Sequence, residues 1–337
     1  ITISGCIDAQ KSHMIYGIGN DRRHKVIVTF HEQKAKELYD DYRFFDPNAV
    51  YYPAKDILFY QSDIRGNLLT AERIRALRAI REQQEVTVIT TFDALMNTMA
   101  PPQTLWDSIQ RIEPGDTVIL DELVARLVQM GYEKEYQVDT MGQFALRGGI
   151  LDVFPLTEDN PVRIEMWGDE VDTIRSFDVE SQKSIENLEE ITIYPATEVV
   201  LDKETIRQGI KAIEKEAQNC QKKFRNEMKT EEGARVRQIA AELKDQLEEM
   251  EHIAGAESFV RYFYKKTESL LEYLPENTLV VIDEPNRLTE HAKTTEEEFR
   301  ESMIHRLEKG YLLPGQMEVI RNHQEVVHRF HQMHTLS

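Results

Sequence analysis

Cysteine is scarce: Cys6 and Cys220 are the only two in 337 residues. Two thiols so far apart in sequence build neither a disulfide framework nor a zinc site, and a reducing, cytoplasmic setting fits them. Long apolar runs are missing too. None approaches the ~20 residues of a bilayer span, and no signal peptide is recognisable in a chain that opens on Ile1 rather than Met, as a trimmed segment would. No membrane partner is expected. Positive charge is in deficit, 41 Lys and Arg against 60 Asp and Glu, for a net charge of -19. Phosphate backbones are held by clustered cations, so a surface that holds nucleic acid over its whole extent is excluded and only a local basic patch is left open. With 41% hydrophobic residues over this length, two or three domains can each bury a core.

The stretch from Arg147 to Asp178 is the most distinctive. In Val162–Trp167 the apolar Val, Ile and Met alternate with Arg, Glu and Trp, the period of a half-buried strand. Gly168-Asp169 then reads as a two-residue hairpin turn and Glu170 to Phe177 as the return strand. Val171, Ile174 and Phe177 fall three apart, so a bulge is needed if they share a face, and its position decides whether Arg175 joins the face of Arg163. Upstream, Phe144 and Leu146 point inward and Arg147 outward, while Gly148-Gly149 predicts a bulge or a close backbone approach. Arg147, Arg163 and Trp167 thus share one exposed face, with Asp169 and Glu170 at its turn. Arg and Trp are enriched among interface anchors, which fits a partner-binding surface. A Trp at a domain seam beside two salt-bridged arginines fits the pattern equally well.

Residues 1–108 alternate strands and helices, the signature of a parallel α/β sheet. Gly5 to Ser12 follows the phosphate-loop spacing, with Lys11 and Ser12 in place but Gln10 at the second glycine position. A side chain there crowds the space where backbone N–H groups wrap a phosphate. The loop reads as one that kept its fold and lost its nucleotide, or as a plain strand-to-helix turn. Strands are expected at Lys25–Phe30, Val50–Pro53 and Glu85–Thr91, and helices at Glu32–Tyr42, Asn67–Glu82 and Phe92–Met99, the last ended by Pro101-Pro102. Arg73, Arg75, Arg78 and Arg81 could meet a nucleic-acid backbone or simply be solvated. Leu279–Ile282 predicts a buried strand with Asp283 and Glu284 at its C-terminal end, where parallel sheets carry their sites. Without a working phosphate loop that pair has no nucleotide-bound magnesium to serve. The similar Asp121-Glu122 fits the cap and first turn of a helix over Leu123–Met130.

A strand-only block from Tyr132 to Pro195 looks like an inserted domain. A charged helical run follows from Asp202 to about His252, broken near Thr230–Gly233. In a helix over Glu257–Glu272, Phe259, Tyr262, Phe263 and Tyr264 fit core packing better than base stacking. His323, His328, His331 and His334 lack the converging ligands of a metal site, and no residue is assigned a catalytic role.

Gln143–Pro155, Val162–Val171 and Asp172–Asp178 together resemble the UvrB-homology module of the Mfd family, the bacterial transcription-repair coupling factors. The similarity takes in Gly5–Ser12, Tyr52–Ala54, Gly131-Tyr132, Gly255–Phe259, Val281–Pro285 and Leu312–Gln316, essentially the whole chain. Excision-repair UvrB shares the Arg-Gly-x-x-x-Asp-x-Phe-Pro and Gly-Asp-Glu segments but is expected to keep an intact phosphate loop. Gln10 and the missing glycines therefore favour the coupling factor; an ATP-binding, UvrB-like helicase fragment using Lys11, Ser12, Asp283 and Glu284 is the alternative. The resemblance implies a RecA-like domain split in sequence, 1–108 and 197–337, around an inserted mainly-β, UvrA-binding domain, 109–196. The partner it implies is UvrA, contacted through Arg147, Arg163 and an aromatic, here Trp167 where phenylalanine is usual. It implies a monomeric, non-catalytic adaptor that brings UvrA to stalled transcription complexes. RNA polymerase and double-stranded DNA would be held, and ATP and magnesium used, by motor and polymerase-binding regions whose motifs this chain lacks.

Overall fold

A computed structural model describes residues 2–3, 5–19, 21–55, 64–249 and 255–336. Helix α1 (Asp8–Ile18), strand β1 (His24–Thr29), α2 (Glu32–Tyr42), β2 (Ala49–Tyr52), α3 (Ile64–Glu82) and β3 (Val86–Thr91) follow one another as the alternation predicts. The β1 run is apolar throughout because both its faces are covered: Val26 and Val28 enter one core and Ile27 another. Helix α4 (Phe92–Met96) stops short of the expected Met99. Asn97 leaves the helix to accept a hydrogen bond from the Lys55 N–H at 2.8 Å, and Met99 pairs with Glu268. Pro101 then caps α5 (Pro102–Ser108), so the proline pair starts a helix rather than ending one.

The middle of the chain builds a second sheet. Strand β4 (Gln110–Ile112) leads to α6 (Leu120–Gln129), where Asp121 and Glu122 lie in the first turn, beside unpaired N–H groups. Ile119, not Asp121, occupies the cap position. Next come β5 (Glu133–Lys134), β6 (Gln143–Arg147), β7 (Ile150–Val153), β8 (Val162–Trp167), β9 (Glu170–Phe177) and β10 (Ser184–Asn187). They form a sheet ordered β10-β9-β8-β7-β6-β5, antiparallel except where β5 meets β6. Its inner face and α6 enclose Leu123, Leu127, Phe144, Leu151, Ile164 and Ile174. Strand β11 (Ile191–Ile193) turns back to pair with β4.

Helices α7 (Lys203–Asn226) and α8 (Thr230–Glu248) pack together across a break at 227–229, slightly before the expected one. The continuous helix expected over Glu257–Glu272 is instead a 3-10 turn, Ala256–Phe259, then α9 (Val260–Phe263) and α10 (Leu270–Tyr273). Glu268 is drawn out between them to pair with Met99, and a Ser269/Glu272 capping box restarts the helix. Strand β12 (Leu279–Ile282), α11 (Pro285–Glu308), α12 (His323–His331) and β13 (His334–Leu336) complete a five-stranded parallel sheet ordered β13-β12-β1-β3-β2. Strands from both ends of the chain therefore share one sheet, and the antiparallel sheet lies between them in sequence. Helices α1 and α2 cover one face and α3, α4, α11 and α12 the other.

Buried charge joins the two regions. Fully buried Arg73 donates from Nε to Glu198 at 2.8 Å, and Lys55 Nζ reaches the same carboxylate at 2.7 Å. Arg75 donates to the Leu156 carbonyl, Arg78 to the Thr157 carbonyl and to Glu158, and the Tyr194 hydroxyl to Glu82. Arg81 lies over the Trp106 ring. Arg73 is thus committed within the fold, and Arg75 and Arg78 are tied to the segment 156–158, while Arg81 stays exposed.

Burial pushes the Glu198 carboxyl up, but Arg73 and Lys55 outweigh it and hold it down to about 2. A carboxylate depressed by folding stabilises fully above its unfolded pKa, 4.5, and loses that contribution as pH falls toward its folded value. Urea denaturation should therefore show stability falling less steeply across this acid range in Glu198→Gln than in the wild type. At pH 7 the variant should be less stable by about 3 kcal/mol, because Arg73 is left buried with its counter-charge gone.

Candidate partner-binding surface

Strands β6 to β9 present the predicted alternation. Ala145, Asp152, Arg163 and Arg175 pair across neighbouring strands in one row, and Arg147, Ile150, Glu165 and Thr173 in the next. Directly paired residues point to the same face, and Trp167 follows Glu165 at a period of two. The bulge falls at Asp172: Glu165 pairs with Thr173 but Met166 with Val171. It accommodates one extra residue and brings Arg175 onto the outer face beside Arg163. Phe177 leaves the inner row of Val171 and Ile174 and lies 4.5 Å beneath the Arg163 guanidinium.

The centre of this face is Asp152, 1% exposed. It accepts hydrogen bonds from Arg163 Nε at 2.6 Å and Nη2 at 2.8 Å, and from Arg147 Nη2 at 2.5 Å. One carboxylate thereby fixes two guanidinium planes. Arg163, expected to be exposed, keeps only 15% of its side chain open, because Asp152, Gln182 and Phe177 cover it. Arg147 is 39% exposed and Trp167 84%. Arg175 is ion-paired to Glu165. Asp169 and Glu170 are exposed at the hairpin turn, where Gly168 takes a left-handed φ of 64° that a β-carbon would strain. Gly148 does the same in the neighbouring turn, and Gly149 makes the expected close approach, its carbonyl accepting from the Met166 N–H at 2.8 Å.

The sequence puts Asp152 at an outward position of Ile150–Val153 without marking it as a site residue, because only the pairing of β7 with β8 sets it against Arg163. The Val118 N–H donates to the Asp169 carbonyl at 2.7 Å and Thr117 bridges Glu170, which places Ile119, 54% exposed, beside the turn that follows Trp167.

The residues singled out for a nucleotide are partly brought together. Lys11 Nζ lies 2.8 Å from Asp8 Oδ1, 2.8 Å from Asp283 Oδ1 and 3.1 Å from Glu284 Oε1. Burial works against the ammonium charge, but Asp283, Asp8 and Glu284 outweigh it and raise its pKa. Lys34 and Arg287 hold Asp8 and Glu284 from outside. Ser12 is buried, its Oγ without a hydrogen-bond partner among the described residues, while Gln10 is exposed and Gly5 takes a φ of 83°. Of the C-terminal histidines, His323 is bound to Glu296 and His328 to Gln332. Among the described residues no group of three His, Cys, Asp or Glu is placed to hold a metal ion, and no helix is long and apolar enough to cross a membrane.

Residues 111–199, which carry the antiparallel sheet β5 to β10, match the family described as the UvrB interaction domain. Over 92% of its length the chain is 30% identical to the transcription-repair-coupling factor of Bacillus subtilis (strain 168), covering 26% of that protein. It is also 30% identical to the coupling factor of Staphylococcus epidermidis, over 88% of this chain and 25% of that protein. A third relative at 30% identity is UvrABC system protein B of Fervidobacterium nodosum, matched over 77% of this chain and 42% of that one. The resemblance carried by the motifs is borne out, and the chain spans about a quarter of the length of the coupling factors it matches.

Removing the clamp should cost more than removing the aromatic. Asp152→Ala leaves the largely covered Arg163 without its counter-charge and should lower stability by about 2 to 4 kcal/mol in urea denaturation. Trp167→Ala, at an exposed position, should change it by less than about 0.5 kcal/mol. Equal losses in the two variants would contradict the clamp's structural weight.

Proposed function

We propose that the chain is a non-catalytic, UvrB-like adaptor that binds UvrA through the outer face of β6 to β9 and brings it to stalled transcription complexes. The observation that carries this is the Arg147–Asp152–Arg163 clamp with Trp167 standing free beside it. The clamp holds its guanidinium groups in place before a partner arrives, so little rotamer entropy is lost on binding. The indole adds the apolar area typical of an interface anchor. The family matched by residues 111–199, and the repair functions in the relatives' names, support the same partner and process.

In this reading the parallel sheet is a RecA-like domain divided into 1–108 and 197–337, with 109–196 inserted. Its nucleotide site is vestigial: an incoming polyphosphate would meet Asp8, Asp283 and Glu284 around Lys11 and the Gln10 side chain on the loop. The module works as a cytoplasmic monomer with no cofactor of its own. RNA polymerase, double-stranded DNA, ATP and magnesium belong to the motor and polymerase-binding regions of a longer protein.

Titration with UvrA tests the surface. Trp167→Ala and Arg147→Ala should each weaken binding about 30-fold, or about 2 kcal/mol, at unchanged Tm. Arg163→Ala should lose both affinity and stability, since it also releases Asp152. Wild-type affinity in the first two variants would refute the assignment. Calorimetric titration with ATP and magnesium should give no heat; micromolar binding abolished by Lys11→Ala would establish the UvrB-like helicase reading instead.

A further inference from the structure

Helix α7 carries charge of the opposite sign to the protein. Its 24 residues hold seven Lys and Arg against three Glu, a net +4 by difference, in a chain of net -19. At ~100° per residue, Lys203, Arg207, Lys211, Lys215, Lys222 and Arg225 fall within about a third of the helix circumference. All six are exposed. The buried side is elsewhere on the wheel, where Gly209, Ile213, Ala217 and Phe224 face the core. Glu204 and Glu214 fall in the same arc, which leaves it six cations against two carboxylates. Glu216 is taken up by the Tyr262 hydroxyl and the Gly315 N–H, Glu214 is bridged to Lys244 on α8, and Glu204 is held by Arg207 and Gln208. Cations in the last turn complement the helix dipole. Lys211 and Lys215 lie mid-helix, where that benefit has faded and like charges four residues apart repel.

We propose that this ridge docks the phosphate backbone of duplex DNA, side-on and without reading sequence. From Lys203 to Arg225 the cations run ~33 Å at ~1.5 Å per residue, about one turn of B-form DNA. Lysine supplies a point charge on a flexible stem, which suits a backbone better than base edges. Duplex DNA offers one charge per ~1.7 Å, a denser array than a folded acidic protein face presents. With Arg73 buried and Arg75 and Arg78 bonded to the segment 156–158, α7 is the better-placed local basic patch among the described residues.

Fluorescence anisotropy of the whole chain with a labelled mixed-sequence duplex of roughly 30 base pairs tests this. Binding should be measurable at ~50 mM salt and weaken with a log–log salt slope of about -4.5 to -5.5 for five or six phosphate contacts. Lys211→Glu/Lys215→Glu/Lys222→Glu should bind at least tenfold more weakly, with the slope reduced by about 3 and Tm unchanged, while a different duplex sequence changes nothing. No binding at the lowest salt, or a triple variant that binds like the wild type, overturns the proposal. Poly-glutamate that displaces the duplex at equal charge concentration overturns it as well and makes an acidic protein the occupant.

Discussion

One carboxylate, Glu198, lies on the segment between β11 and α7, where the chain leaves the middle region and returns to the parallel sheet. Arg73 reaches it from α3 and Lys55 from the end of β2, while Tyr52 donates its hydroxyl at 3.1 Å. A buried ion pair of this kind adds little net stability over a well-packed apolar alternative, because desolvation consumes most of the attraction. What it supplies is geometric. An apolar seam tolerates small rotations, whereas guanidinium and carboxylate groups bond well in few arrangements. The course of the chain between β11 and α7 against α3 and the end of β2 is thus fixed by bonds rather than by packing alone.

The same chemistry recurs on a smaller scale at Asp152. Both sites use a nearly inaccessible carboxylate to hold two cations, but to different ends. At Glu198 the cations are buried with it; at Asp152 one of the two, Arg147, keeps part of its guanidinium open. The outer face is thus rigid beneath and polar on top, with the exposed indole at its rim.

Much of this was legible where a single element carries the information. The succession of strands and helices placed α2, and the Gly168-Asp169 turn placed the start of β9, because period and turn chemistry are local. Where a distant partner decides, the reading failed. Asn97 abandons its helix for Lys55, and Glu268 interrupts a helical pattern to bridge Met99. A row of arginines on a helix looks alike whether it faces water or a neighbour, so the commitment of Arg73, Arg75 and Arg78 could not be read from α3 itself. The weight of Asp152 is hidden in the sequence for the same reason: it lies in the residue across the strand pair. The turn at Gly168 fixed the hairpin's end, but only the ladder beyond it places the bulge at Asp172 and hence the side on which Arg175 falls.

The short β4–β11 pair has a consequence for how the molecule assembles. Entry to and exit from the antiparallel sheet are held side by side by Gln110–Ile112 and Ile191–Ile193. Once that pair is zipped, residues 113–190 cease to count as a long loop for the parallel sheet, and the effective separation of β3 from β12 shrinks. Loop-closure entropy grows with length, and folding slows as contacts become more distant in sequence. Early folding of the middle of the chain would therefore draw its two ends together and shorten the search by which β12 finds β1.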